Sequence, residues 1–219
     1  MQRDPDLYPD YSLPERIADG TVHGFGVALA ITGAVLLLVF ASTTGDGGLV
    51  TGLAVYAAAL IATFVMSACY HMTPWEGLRP VLRRLDHAAI YFKIAGTYTP
   101  FVVMIGSAFG YVVLGLIWTL AFAGALAKVF FWRAPGRLGT ALYLVLGWLS
   151  LALIWPMVQA LPMAAVILVA VGGVLYSLGV VFFTRENMRY SNAIWHVFVL
   201  AASGCFFAAI SLGAFTSLT

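Results

Sequence analysis

The chain has 219 residues, of which 62% are hydrophobic and only 9% charged, with a formal net charge of +2. A soluble domain carries roughly 25% charged residues, so composition excludes an ordinary water-soluble fold and indicates an integral membrane protein. No basic patch with interleaved aromatics is present, so no nucleic-acid partner is expected.

The polar, acidic start over residues 1–20 lacks the basic flank and immediate apolar core of a cleavable signal. The first membrane helix is expected to serve as its own insertion signal. Crossing hydrocarbon takes about 20 apolar residues at 1.5 Å rise each. Seven such runs follow in order. The first is placed near 22–41, the second at 49–70, the third at 87–107 and the fourth at 111–131. The fifth is placed at 138–156, the sixth from Leu161-Pro162 to about 183, and the seventh at 193–215. The fold class is all-α, a single bundle of seven transmembrane helices. Pro100 should kink the third helix, with Thr97 and Thr99 able to satisfy freed carbonyls. Gly172-Gly173 and Ser177 mark a small-residue packing face. Cys69 and Cys205 read as small buried hydrophobes. The tryptophans mostly fall near span ends, as in an interfacial belt.

Lysine and arginine fall in alternate connections. Arg3 and Arg16 precede the first span, and Arg79, Arg83 and Arg84 lie between the second and third. Lys128, Arg133 and Arg137 flank the fourth-to-fifth turn, and Arg185 and Arg189 lie before the seventh. The other connections have none. By the positive-inside rule the amino terminus is cytoplasmic and the carboxyl terminus outside.

Ionisable groups at membrane depth are expensive, and each is by default a functional candidate. His23 stands at the start of the first span and His71 at the end of the second. Asp86 and His87 open the third, and His196 opens the seventh. Distant in sequence, they are levelled by the bilayer at one membrane face. Ser67 and His71 share a helix face at i, i+4, as do Asn192 and His196, and Asp86 and Lys93 share one a heptad apart. Imidazole and carboxylate suit zinc, held at catalytic sites by three protein ligands and a water. Such a site could hydrolyse a lipid amide or ester. Each residue also has a plainer reading. His23 is interfacial, Asp86 caps its helix or pairs with Arg83 or Arg84, and Asn192 is a cap. Ser67 bonds its own backbone, and Lys93 snorkels to the surface or pairs with a carboxylate. His87 points about 100° from Asp86, toward loop or headgroups. Glu15 and Asp19 precede the first span on the same side as the cluster; they read as solvated, with closing over the site or binding a hard cation as the alternatives.

The stretches ERIADGTVHGFG, SACYH, RRLDHAAIYFKIAGTYTPF and NAIWHVFVLA resemble the hemolysin III family, which is grouped with progestin and adipoQ receptors and more distantly with alkaline ceramidases. The resemblance implies a seven-helix bundle, a cytoplasmic amino terminus and a zinc site near the cytoplasmic face. It places Ser67 and His71 in the family's second-helix motif, Asp86 as the aspartate that meets zinc through water, and His196 as the second histidine of an HxxxH motif. Asn192 stands where that motif has its first histidine, and Phe206 where a further one falls. Two of the usual three imidazoles then remain, with His23 or Asp86 available for the vacant place. The implied function is a role in membrane-lipid homeostasis, as a zinc-dependent hydrolase with Asp86 and Ser67 catalytic. The alternative is a non-enzymatic sensor or a pore. Membrane lipids are the expected partners, in an inner cell membrane.

Overall fold

The computed structural model describes residues 11–131, 137–185 and 187–216, apart from the side chains of Arg137 and Leu138. The sequence readings at Arg3, at the turn 132–136 and at the side chain of Arg137 lie outside them. The described residues form helices α1 (Leu13–Ser42), α2 (Gly47–Met72), α3 (Arg79–Ile105), α4 (Ala108–Phe130), α5 (Arg137–Trp148), α6 (Ile154–Ala160), α7 (Met163–Phe183) and α8 (Ser191–Phe215). A 3-10 turn, Leu149–Leu153, joins α5 to α6, so the two make one broken span. Among the described residues, seven spans are long and apolar enough to cross a membrane, as the sequence indicates.

Local chemistry sets the helix ends, and two of them correct the sequence reading. Hydropathy starts the first helix near Val22, but Ser12 and Glu15 form a capping box with Pro14 in the first turn, and α1 starts at Leu13. Glu15 Oε2 accepts from Ser12 N at 3.0 Å and from Ser12 Oγ at 2.6 Å. Asp19 therefore sits inside a helix and is buried. Likewise α3 begins at Arg79, with Pro80 in its first turn, so Asp86 lies two turns inside the helix and does not cap it. At the far end, Gly106 adopts φ 65° and Ser107 accepts from Gly110 N, which allows a minimal turn into α4. Asp46 caps α2 through Gly48 N and Leu49 N.

The central helix is α3, with 56% of its apolar window buried, against 17% for α4. It packs on α2, α4 and α8 and on the broken fifth span; α1 joins α2 to α8, and α7 lies along α8. Gly96 allows the closest approach: a Cβ there would lie 2.7 Å from Ala59 Cβ of α2. The small-residue face of α7 behaves as read, Gly172 receiving the Phe206 ring of α8. Pro100 is accommodated without interrupting α3, while Thr97 and Thr99 bond back to Lys93 O and Ala95 O. The break in the fifth span is bridged by Tyr98, whose hydroxyl donates to Leu146 O at 3.1 Å and Gly147 O at 2.6 Å. Large apolar side chains such as Phe25, Leu29, Val39, Val112 and Leu126 face outward, where lipid rather than water covers them. Cys69 is on that outer surface and Cys205 is half-buried, against the expectation that both are buried.

Candidate functional site

His71 near the end of α2 and His196 near the start of α8 meet His23, which lies well inside α1, in the bundle interior. His23, His71 and His196 each offer a ring nitrogen, and the three atoms lie within 4.8 Å of one another. Ring centroids are 4.3 Å apart for His23–His196, 4.7 Å for His71–His196 and 5.0 Å for His23–His71. His23 and His196 are buried.

Asp19 organises this trio: it is buried over the site and not solvated, the less favoured of its sequence readings. Its Oδ1 accepts from His196 Nδ1 at 2.9 Å and its Oδ2 from Asn192 Nδ2 at 2.8 Å. The same carboxylate lies 3.5 Å from His23 Nδ1 and 3.6 Å from His71 Nδ1. His23 Nδ1 donates to the Asp19 carbonyl at 2.8 Å. A carbonyl oxygen only accepts and a carboxylate accepts, so Nδ1 is the donor nitrogen of His23 and His196, and in the neutral ring each Nε2 carries a lone pair. Both Nε2 atoms face Ser67 Oγ, at 3.2 Å and 3.5 Å. One hydroxyl proton serves two acceptors, which leaves an excess of lone pairs in a buried space. That is the donor set a cation satisfies, with second-layer partners fixing the tautomers.

The sequence signal for Asp19 was present in two parts. The Ser12–Glu15 capping box puts it in a helix, and its i, i+4 spacing to His23 puts both on one face. A further clamp sets the α8 register. Tyr190, just before α8, is held at φ 59°, and its N–H donates to Glu15 Oε1 at 3.0 Å. Glu15 and Asp19, one turn apart on α1, thus hold the start of α8 and its Asn192 and His196. Glu15 is half-buried and engaged, not solvated.

The other sequence candidates lie around a cavity of about 310 Å³ that the trio borders. Asp86 lines it but is outside the trio; its Oδ2 is 3.4 Å from His87 Nδ1. His87 is buried and its Nδ1 donates to Arg83 O, so it does not face loop or headgroups. Arg84 bonds Val129 O on α4. Asn192 is inside α8 rather than at its cap, and its amide also lies 3.2 Å from His71 Nδ1. Ser67 turns to the imidazoles and not to its own helix. Lys93 does not snorkel, and among the described residues it meets no carboxylate: it is 7% exposed, and Nζ donates to Tyr176 OH and Ser203 Oγ. Phe206 forms part of the apolar wall.

Residues 11–207 match the haemolysin-III-related family. The chain is similar to "Hemolysin-3" of Bacillus cereus, 36% identical over 194 residues that cover 88% of this chain and 89% of that protein. It is similar to "Hemolysin-3 homolog" of Bacillus subtilis (strain 168), 34% identical over 90% of this chain and 93% of that one. It also resembles the human "Monocyte to macrophage differentiation factor", 27% identical over 90% of this chain and 83% of that protein. On the strength of the matched span and of these identities, the chain belongs to the haemolysin-III-related family of multi-pass membrane proteins.

Proposed function

We propose that this protein is a metal-dependent hydrolase of a lipid amide or ester, acting in membrane-lipid homeostasis with zinc held by His23, His71 and His196. The observation that carries the reading is the pair of Nε2 atoms converging on Ser67 beside an apolar cavity. Three imidazoles form a common catalytic zinc set, so the donors fit the metal. Here His23 supplies the third imidazole that the Asn192 and Phe206 departures remove. When bound, zinc supplies a Lewis acid that makes water a nucleophile near neutral pH.

The remaining work falls to the chain's own groups. Asp19 fixes the proton of His196 on Nδ1 and keeps Nε2 free as a ligand. Ser67 Oγ donates to the oxygen that gains negative charge when the acyl carbon is attacked. Asp86, on the cavity wall, takes the proton from the nucleophile and returns it to the leaving group. The apolar wall holds the acyl chain and keeps bulk water out. The placement of Arg16, Arg79, Arg83, Arg84, Arg185 and Arg189 supports a cytoplasmic amino terminus in an inner cell membrane, with substrate drawn from the inner leaflet.

Elemental analysis of the purified protein tests the metal, and fatty-acid release from a panel of lipid amides and esters tests the chemistry. Zinc near one per chain is expected, lost in His23→Ala, His71→Ala and His196→Ala, with release abolished in Asp86→Asn. Protein that takes up none at micromolar zinc refutes the proposal. Metal-loaded protein with no turnover, or liposome leakage insensitive to these substitutions, favours the sensor or the pore.

A further inference from the structure

A second polar cluster lies deeper in the same cavity. Lys93 occupies the middle of α3, seven residues beyond Asp86 and so about 10 Å further into the bilayer. Its Nζ donates to Tyr176 OH of α7 at 2.5 Å and to Ser203 Oγ of α8 at 2.6 Å. Ser203 Oγ donates its own hydrogen bond to Val199 O at 2.6 Å, and Tyr176 OH lies 3.0 Å from Ser203 Oγ. These oxygens are therefore filled by one another and by the lysine. An ammonium has three N–H groups, so one remains. The rings of Phe64 and Tyr176 flank the nitrogen at 4.9 Å and 5.2 Å. Among the described residues Lys93 has no carboxylate partner, though a cation at this depth is costly without one. Lys93 and Tyr176 both border the cavity, whose apolar lining includes Phe101, Leu153, Met157 and Phe206.

We propose that Lys93, held in place by Tyr176 and Ser203, receives through its remaining N–H the carboxylate of a single-chain amphiphile, such as a free fatty acid, whose hydrocarbon fills the apolar part of the cavity. One lysine neutralises one charge. A phosphate dianion would leave a net charge buried in hydrocarbon, and is disfavoured. Depth selects the source of the carboxylate, because the headgroup of a two-chain lipid stays at the interface. The subsite goes beyond the hydrolase reading and stands whether or not the histidines hold a metal.

The full-length protein in phosphatidylcholine nanodiscs is titrated with carboxyl-labelled palmitate and, separately, with hexadecanol, both before and after chelation. Palmitate binds saturably, and hexadecanol binds at least about tenfold more weakly, the loss of one charge-assisted bond. Lys93→Met brings palmitate down to the hexadecanol level, and Lys93→Arg keeps most of the affinity. Equal binding of the two probes to the unaltered protein overturns the proposal without relying on any variant to fold. Palmitate binding undiminished in Lys93→Met also overturns it. Loss of palmitate on chelation moves the carboxylate to the histidines, and full competition by phosphatidylserine assigns it to a headgroup; either result sinks the subsite. Intact palmitate binding in a protein with no turnover sinks the hydrolase alone.

Discussion

Replacing Asp19 by asparagine keeps the side chain's size and removes its charge. In the structure Asp19 is 4% exposed, and its carboxylate accepts from His196 Nδ1 at 2.9 Å and Asn192 Nδ2 at 2.8 Å. An amide presents one oxygen and one NH₂, so one of these two donors must face another donor. A hydrogen bond to a charged group contributes about 1.5–3 kcal/mol. Losing such a partner behind a metal-ligating histidine costs about 10–100-fold in metal affinity, which is about 1.4–2.7 kcal/mol. The two estimates agree, so Asp19→Asn should weaken zinc by one to two orders of magnitude. Competition against a chelator of known affinity reads this directly, with the exposed Glu76→Gln as the unaffected control and Asp86→Asn expected to keep near-native affinity. If Asp19→Asn binds zinc as the native protein does while His196→Ala binds none, Asp19 does not tune the ligands and the tautomer argument is wrong. If Asp86→Asn loses the metal instead, the assignment of the two carboxylates is reversed.

Three further outcomes test the architecture. Gly96→Ala places a methyl 2.7 Å from Ala59 Cβ, a short and rigid neighbour, so α2 and α3 must separate; overpacking of this kind costs about 1–3 kcal/mol and should show as a lower unfolding midpoint in detergent. Tyr98→Phe leaves Leu146 O and Gly147 O without their shared donor at the break in the fifth span. It should cost about 1–3 kcal/mol and raise amide exchange around the 3-10 turn more than in α1, and uniform exchange across the bundle would count against the bridging role. Removing zinc from loaded protein should lower stability by about 2.7 kcal/mol where free zinc had stood at 100 times its dissociation constant, and a midpoint that does not move with zinc would show that the folded state does not bind it.

Much of this molecule is legible from residue order alone. Span number follows from apolar length, because helices are the simplest way to satisfy backbone groups in hydrocarbon. The shared level of His23, His71 and His196 follows as well, since each lies near a span end on the same side. The start of α1 was also written in the sequence, in Ser12, Pro14 and Glu15, but hydropathy is blind to a polar helical turn and capping chemistry is not. What the sequence cannot supply is rotation about each helix axis. In a bilayer both the lipid-facing and the packed side of a helix are apolar, so periodicity does not mark the inner face. Azimuth is set instead by close approaches such as Gly96 on Ala59 and by the hold of Glu15 on Tyr190. Those contacts turn Asp19, and not Asp86, onto the backs of the imidazoles, and they seat Lys93 among neutral oxygens in the cavity. Depth was thus a property of the chain, whereas the choice of partners at that depth belonged to the packed bundle.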